Sequence, residues 1–134
     1  MSASDTNLFV YGSLMIPDVL HRLLARQPVA CPAVLSGYRR NKLLGRTYPG
    51  IVPASDHEVH GLLLQQLGET ELDILDAFED ELYERISVTV DTGEQQLSAY
   101  AYCVLPKFRT QLSQAEWDLE HFREHHLPAF LGRV

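Results

Sequence analysis

Basic charge, cysteine and long apolar runs are all scarce in this sequence of 134 residues, and each scarcity removes a class of function. Eleven Lys and Arg residues stand against eighteen Asp and Glu, a formal net charge of −7. Nucleic-acid binding calls for a basic face, and an anionic membrane surface attracts polybasic segments, so neither partner is expected. No apolar run approaches the roughly 20 residues that a membrane-crossing helix needs. The first residues, Met1-Ser2-Ala3-Ser4-Asp5-Thr6-Asn7, have neither the basic nor the apolar region of a secretory signal. Cys31 and Cys103 are far apart, with no Cys-x-x-Cys pairing. They read as ordinary thiols in a reducing, cytoplasmic setting. There is no repeat, low-complexity tract or linker, so residues 1–134 are expected to form one domain.

What is present is ordinary in bulk, 46% hydrophobic and 22% charged residues, and informative in detail. The apolar run Leu8-Phe9-Val10 reads as a strand and leads into Tyr11-Gly12-Ser13-Leu14. A strand ending in Gly-Ser before a helix leaves backbone N–H groups aimed past the strand end, a setting for a carboxylate, a phosphate or an oxyanion. Pro17 then suits the first turn of a helix through Val19, Leu20, Leu23 and Leu24. Ala33–Leu44 reads as one or two strands with a bend at Gly37, Arg46–Ser55 as a loop, and Val59–Gln65 as a strand. A helix is expected from Glu71 to Phe78 with Thr70 as its N-cap. Tyr83–Val90 and Gln95–Val104 form the clearest hairpin, turning at Asp91-Thr92-Gly93-Glu94. The Ser113-Gln114-Ala115-Glu116 spacing is that of a capping box, which would start a last helix carrying Trp117, Phe122, Leu127 and Phe130. The class is α+β, with a small, partly closed mixed barrel and peripheral helices.

One carboxylate is out of place. Leu72, Leu75 and Glu79 share a helical stripe, while Asp73, Asp76 and Asp80 take another face. Glu79 therefore points with the leucines, toward the core or a cavity beside it. Two explanations stand: an internal ion pair with Arg85, Arg39 or Arg40, or a partly desolvated general acid/base.

In order, Leu8-Phe9-Val10-Tyr11-Gly12-Ser13-Leu14, Gly37-Tyr38-Arg39, Tyr48-Pro49-Gly50, Val59-His60-Gly61, Leu75-Asp76-Ala77-Phe78-Glu79 and Tyr83-Glu84-Arg85 resemble the AIG2-like branch of the γ-glutamylcyclotransferase-like family. Glu116-Trp117-Asp118-Leu119-Glu120 is similar to the tail of the plant AIG2-like proteins. The resemblance implies a small β-barrel with a cavity near the end of the first strand. It implies a small-molecule γ-glutamyl substrate held by Tyr11, Gly12, Ser13 and Leu14 through backbone amides, with Tyr83 lining the pocket. Glu79 would be the catalytic acid/base, and no cofactor or metal is required. The implied reaction closes 5-oxoproline by attack of the substrate's own α-amine on its γ-carbonyl, releasing an amine or amino acid. Asp80 departs from the pattern, since a glycine commonly follows the family's glutamate.

Three rivals compete. His121-Phe122-Arg123-Glu124-His125 matches the H-x-x-E-H zinc-peptidase pattern, yet no acidic residue follows His125 to complete a site, and a polar helix face is the plainer reading. Ser13 lacks the Gly-x-Ser-x-Gly setting of an activated nucleophile. A weakly catalytic or non-catalytic ligand-binding protein in stress or defence signalling is the alternative of another class.

Overall fold

The computed structural model describes residues 6–79 and 81–134. Five strands close into a barrel: β1 (Thr6–Val10), β2 (Val29–Lys42), β3 (Pro49–Leu67), β4 (Tyr83–Asp91) and β5 (Gln96–Val104). Their order around the barrel is β1-β3-β2-β4-β5, and β1 meets β5 in parallel while the other pairs are antiparallel. Closure removes the exposed sheet edges that would otherwise pair with other chains.

The two-residue period of each strand sorts its side chains between two cores. Phe9, Tyr11, Ala33, Leu35, Ile51, Val59, Leu63, Val90, Ala99, Ala101 and Cys103 pack together as one cluster drawn from all five strands. The alternate residues Leu8, Val10, Leu64 and Tyr102 join a second cluster with the helices. Those helices are α1 (Pro17–Leu24), α2 (Glu69–Phe78), α3 (Leu119–His125) and α4 (Leu127–Leu131). Helices this short are marginal alone; α2 is held by the burial of Leu72 and Leu75, worth about 2 kcal/mol each.

Three local readings change. The stretch expected as a loop at Arg46–Ser55 is mostly strand, because β3 begins at Pro49 and pairs with β2 from Lys42↔Pro49 to Tyr38↔Pro53. Both prolines are tolerable there: Pro49 is the first strand residue, and Pro53 adjoins the register break between Ser36 and Tyr38. Gly37 supplies the bend at that break with φ +85°. Helix α2 starts two residues early, with Gly68 as its N-cap in place of Thr70; the Gly68 N–H donates to Glu71 Oε1 (3.0 Å).

The third change concerns the C-terminal helix, which does not begin at Ser113. The Ser113 N–H donates to the Lys42 carbonyl, the Lys42 N–H donates to Ala115, and Leu43 bridges Leu112. This pairing with the end of β2 takes the backbone that a capping box would have needed. Ser113 Oγ accepts instead from the Ala115 N–H, and the helix waits for Asp118, whose carboxylate accepts from the Glu120 N–H (2.9 Å). Trp117 is thus left outside any helix, buried against the barrel.

Candidate functional site

A cavity of about 180 Å³ opens where β1 ends. The chain leaves the barrel at Tyr11 and turns through Gly12 into a single 3-10 turn, Ser13–Met15, before α1. Tyr11, Gly12, Ser13 and Leu14 form one side of the cavity, and Tyr48, Pro49, Phe78, Glu79, Tyr83, Tyr102 and Phe130 contribute the rest with Phe9 and Val10. The structure therefore brings together the six residues that the family resemblance assigns to the site: Tyr11, Gly12, Ser13, Leu14, Glu79 and Tyr83.

The loop owes its shape to two close approaches. A Cβ on Gly12 would lie 2.9 Å from Pro49 Cδ, so only glycine lets the facing wall come this near. A Cβ on Gly61 of β3 would lie 2.3 Å from the Val10 carbonyl, so β1 comes this near to β3 only beside a glycine. Met15 and Ile16 donate back to the carbonyls of Gly12 and Ser13, whereas among the described residues no acceptor takes the N–H groups of Gly12, Ser13 and Leu14. Three neighbouring donors on one cavity wall are an anion-binding arrangement.

Glu79 is the cavity's acidic residue among those described. It ends α2 as the C-cap: its N–H still donates to the Leu75 carbonyl (3.0 Å), but ψ of 145° takes the chain out of the helix. Leu72 and Leu75 are buried as the stripe required, and Glu79 is half-buried at the cavity. Asp80 lies outside the described residues. Of the arginines considered as partners, Arg85 Nε pairs with Asp76 Oδ1 (3.3 Å), Arg39 donates to Asn41, and Arg40 donates to the Tyr11 carbonyl (2.8 Å).

Asp76 has a role that its place on the solvent face concealed. It accepts the Tyr102 hydroxyl (2.6 Å) as well as Arg85. Burial, the bond to Asp76 and the charge of Glu79 push the Tyr102 phenol up. Burial, then the charges of Glu79 and Cys103, raise the Tyr11 phenol well above 10, and its hydroxyl donates to the Tyr102 carbonyl (2.6 Å). Both phenols therefore remain neutral donors at physiological pH. Tyr83 donates its hydroxyl to the Pro49 carbonyl, tying β4 to the facing wall.

Tyr48, Pro49, Phe78, Tyr102 and Phe130 also line the cavity, none of them singled out as site residues by the sequence. The signal for Tyr48 and Pro49 was their place in a quoted motif; Phe130 reaches the cavity only through the packing of α4, where it meets Phe78 and Phe122 edge to face. The histidine pattern of α3 stands apart from the cavity. His121 and His125 stack at 4.5 Å, and among the described residues no group of three or more His, Cys, Asp or Glu is placed to hold a metal ion.

Among the described residues no helix is long and apolar enough to cross a membrane. Comparison with known proteins agrees with the fold. AIG2-like protein C of Arabidopsis thaliana is 43% identical over 122 residues, 89% of this chain and 70% of its own length. An A. thaliana protein solved in solution is 35% identical and superposes with a TM-score of 0.76, over 97% of this chain and 88% of that one. A solved γ-glutamyl cyclotransferase, 18% identical, shares the fold with a TM-score of 0.69 over 96% of this chain and 85% of its own. The family model for "Gamma-glutamyl cyclotransferase, AIG2-like" matches residues 8–119, and this chain belongs to that family.

Proposed function

We propose that the chain cyclises a γ-glutamyl group to 5-oxoproline and releases an amine or amino acid, with Glu79 as the acid/base. The observation that carries this reading is the pairing, in one cavity, of the unclaimed N–H groups of Gly12–Leu14 with the carboxylate residue Glu79. The reaction asks for little more. Nucleophile and electrophile belong to one molecule, and holding the reactive rotamer is worth several kcal/mol, up to roughly 10 in ideal cases.

The α-amine of the bound substrate is protonated near neutral pH, and Glu79 takes that proton. The freed amine attacks the γ-carbonyl carbon, forming the ring C–N bond and a tetrahedral oxyanion. Glu79 then returns the proton to the leaving nitrogen as the old C–N bond breaks, and it takes the second proton that the ring nitrogen sheds, which leaves on the released amine as its ammonium. Atoms balance without water: one γ-glutamyl amide gives one 5-oxoproline and one amine. The loop N–H groups serve the substrate's α-carboxylate or the oxyanion, both of which suit neutral donors fixed in advance. The aromatic and apolar walls of Tyr48, Phe78, Tyr83 and Phe130 lower the local dielectric and strengthen each of these interactions.

The test is release of 5-oxoproline from a panel containing γ-glutamyl dipeptides, γ-glutamylamines, a γ-glutamyl isopeptide of lysine and glutathione. Wild type is expected to act on at least one member. Glu79→Gln is expected to lose 10²-fold or more of that rate, in line with removal of a positioned acid/base. A Glu79→Gln variant that matches wild type removes Glu79 from the chemistry; a wild type inactive on the whole panel returns the cavity to ligand binding alone.

A further inference from the structure

The free N–H groups of the Gly12 loop need an explanation of their own, and the ladder register supplies it. β1 pairs with β3 as Leu8↔Leu64, Phe9↔Leu63 and Val10↔Leu62. Continued by two residues, that register sets Gly12 opposite His60, whose carbonyl would be the ladder's next acceptor. The pairing stops instead at Val10. One guanidinium nitrogen, Nη1 of Arg40, donates to both carbonyls at the break, to Tyr11 at 2.8 Å and to His60 at 3.3 Å.

Two consequences follow from peptide geometry. In a trans peptide C=O and N–H point in opposite directions, so fixing the Tyr11 carbonyl on Arg40 turns the Gly12 N–H the other way. A cation on the carbonyl also polarises that peptide and makes its N–H a stronger donor.

Arg40 is itself held. Its guanidinium lies over the Trp117 ring, 5.4 Å from the centroid, and the Trp117 Nε1–H donates to the Thr47 carbonyl (2.8 Å). Thr47 immediately precedes Tyr48 and Pro49 on the facing wall of the cavity. One clamp thus touches both walls: Arg40 the anion loop, Trp117 the Tyr48-Pro49 segment.

We propose that Arg40 is the positioning residue of the anion loop, ending the β1–β3 ladder at Val10 and presenting the Gly12 N–H to the ligand, with Trp117 as its seat. Arg40 touches no reacting atom. The proposal rests on the functional reading above for its kinetic consequence, but not for its structural one.

The test compares wild type, Arg40→Lys and Arg40→Met by two readouts. In ¹⁵N-resolved NMR of the free proteins, titration with L-glutamate is expected to shift the Gly12, Ser13 and Leu14 amides of wild type. Arg40→Met is expected to weaken that titration at least tenfold, and Arg40→Lys, which keeps the charge and the stem but has no planar fork, to fall between. On a γ-glutamyl substrate that wild type cyclises, kcat/KM is expected to follow the same order. Loop amides that ignore L-glutamate in wild type, or that titrate alike in all three proteins, overturn the proposal. Should Arg40→Met not fold, equal titration in Arg40→Lys and wild type overturns it alone. A wild type that binds glutamate at the loop yet cyclises nothing defeats the proposed activity and leaves the clamp standing on the NMR result.

Discussion

The Tyr11 hydroxyl donates to the backbone carbonyl of Tyr102 (2.6 Å) across the parallel seam where β1 and β5 close the barrel. That seam is short, with Leu8↔Tyr100 and Phe9↔Ala101 as its paired positions. The phenol therefore extends the closure beyond the last paired residues and sets the first cavity residue against the barrel. In Tyr11→Phe the carbonyl loses this donor in a buried place. The expected cost is about 1–3 kcal/mol, the penalty of a buried acceptor left without a partner, read as a lower denaturant midpoint at an unchanged m-value.

The same phenol has a pH signature. Tyr11 and Tyr102 both titrate above the ordinary value of 10, burial being the largest cause in each. The unfolded chain therefore loses these protons first as pH rises. Stability is full below pH 10 and falls as pH climbs toward the native values. Alkaline unfolding followed by circular dichroism should begin near pH 10, and Tyr102→Phe should have a shallower slope there than wild type. An equal slope would mean that the Tyr102 shift does not matter to folding.

The opposite sign holds at Glu71. Arg26 donates from Nε to one carboxylate oxygen (2.5 Å) and from Nη2 to the other (2.6 Å), and the Gly68 N–H adds a third bond. The hydrogen-bonded Arg26, first, and the Gly68 N–H hold the carboxyl below its ordinary 4.5, against a smaller opposing effect of burial. A depressed native pKa stabilises above the unfolded value and is lost as pH falls through the native one. Glu71→Gln is expected to cost about 1 kcal/mol at neutral pH, near the effect of losing a helix cap. It should also flatten the loss of stability below pH 4.5; partial exposure of Arg26 keeps the ion pair's share small.

Much of this organisation is legible in the sequence, and what is not has physical reasons. The Tyr11–Leu14 loop and the β4–β5 hairpin are local features, set by chain order and turn chemistry, and both stand where they were expected. The stripe Leu72, Leu75, Glu79 led to the cavity even though α2 ends at Phe78, because the C-cap still hangs from the Leu75 carbonyl. Non-local pairing is what the chain conceals. Proline at 49 and 53 speaks for a loop until β2 is laid alongside, and Ser113 speaks for a cap until Lys42 takes its N–H. Arg40 is likewise mute in one dimension, since the carbonyls that it holds belong to residues 29 and 20 positions away.

Gly12 gives the sharpest test of the cavity's width. Alanine there brings a Cβ within 2.9 Å of Pro49 Cδ, a contact that real side chains essentially never make, and within a tight 3.0 Å of Pro49 Cγ. Pro49 has no rotamer to yield; its ring is part of β3, and its carbonyl is bonded by Tyr83. The loop and the facing wall must therefore separate, which moves the N–H donors relative to Glu79. A misplacement near 1 Å costs on the order of 10²-fold in rate when geometry supplies the catalysis. Gly12→Ala is expected to lose activity on that scale and to lower the thermal midpoint by the several degrees that an overpacking cost of about 1–3 kcal/mol implies.

Phe130 predicts how the cavity selects its leaving group. It is nearly buried, stacks edge to face on Phe78 at 5.9 Å and on Phe122 at 5.4 Å, and comes from α4. If the Gly12–Leu14 loop holds the half that all γ-glutamyl substrates share, as proposed above, discrimination falls to the other walls of the cavity. Removing part of the ring in Phe130→Leu enlarges the cavity next to Phe78 and leaves Glu79 and the loop donors unchanged. The stability loss should stay near 1–2 kcal/mol, below the 3–5 of truncation to alanine, because leucine refills much of the space. Kinetically, the variant should accept bulkier leaving groups by raising their kcat/KM relative to small ones, by up to about 10-fold for a methylene-sized gain in fit. If competition between a small and a bulky γ-glutamyl amide gives the same ratio for Phe130→Leu and wild type, α4 does not contact the leaving group.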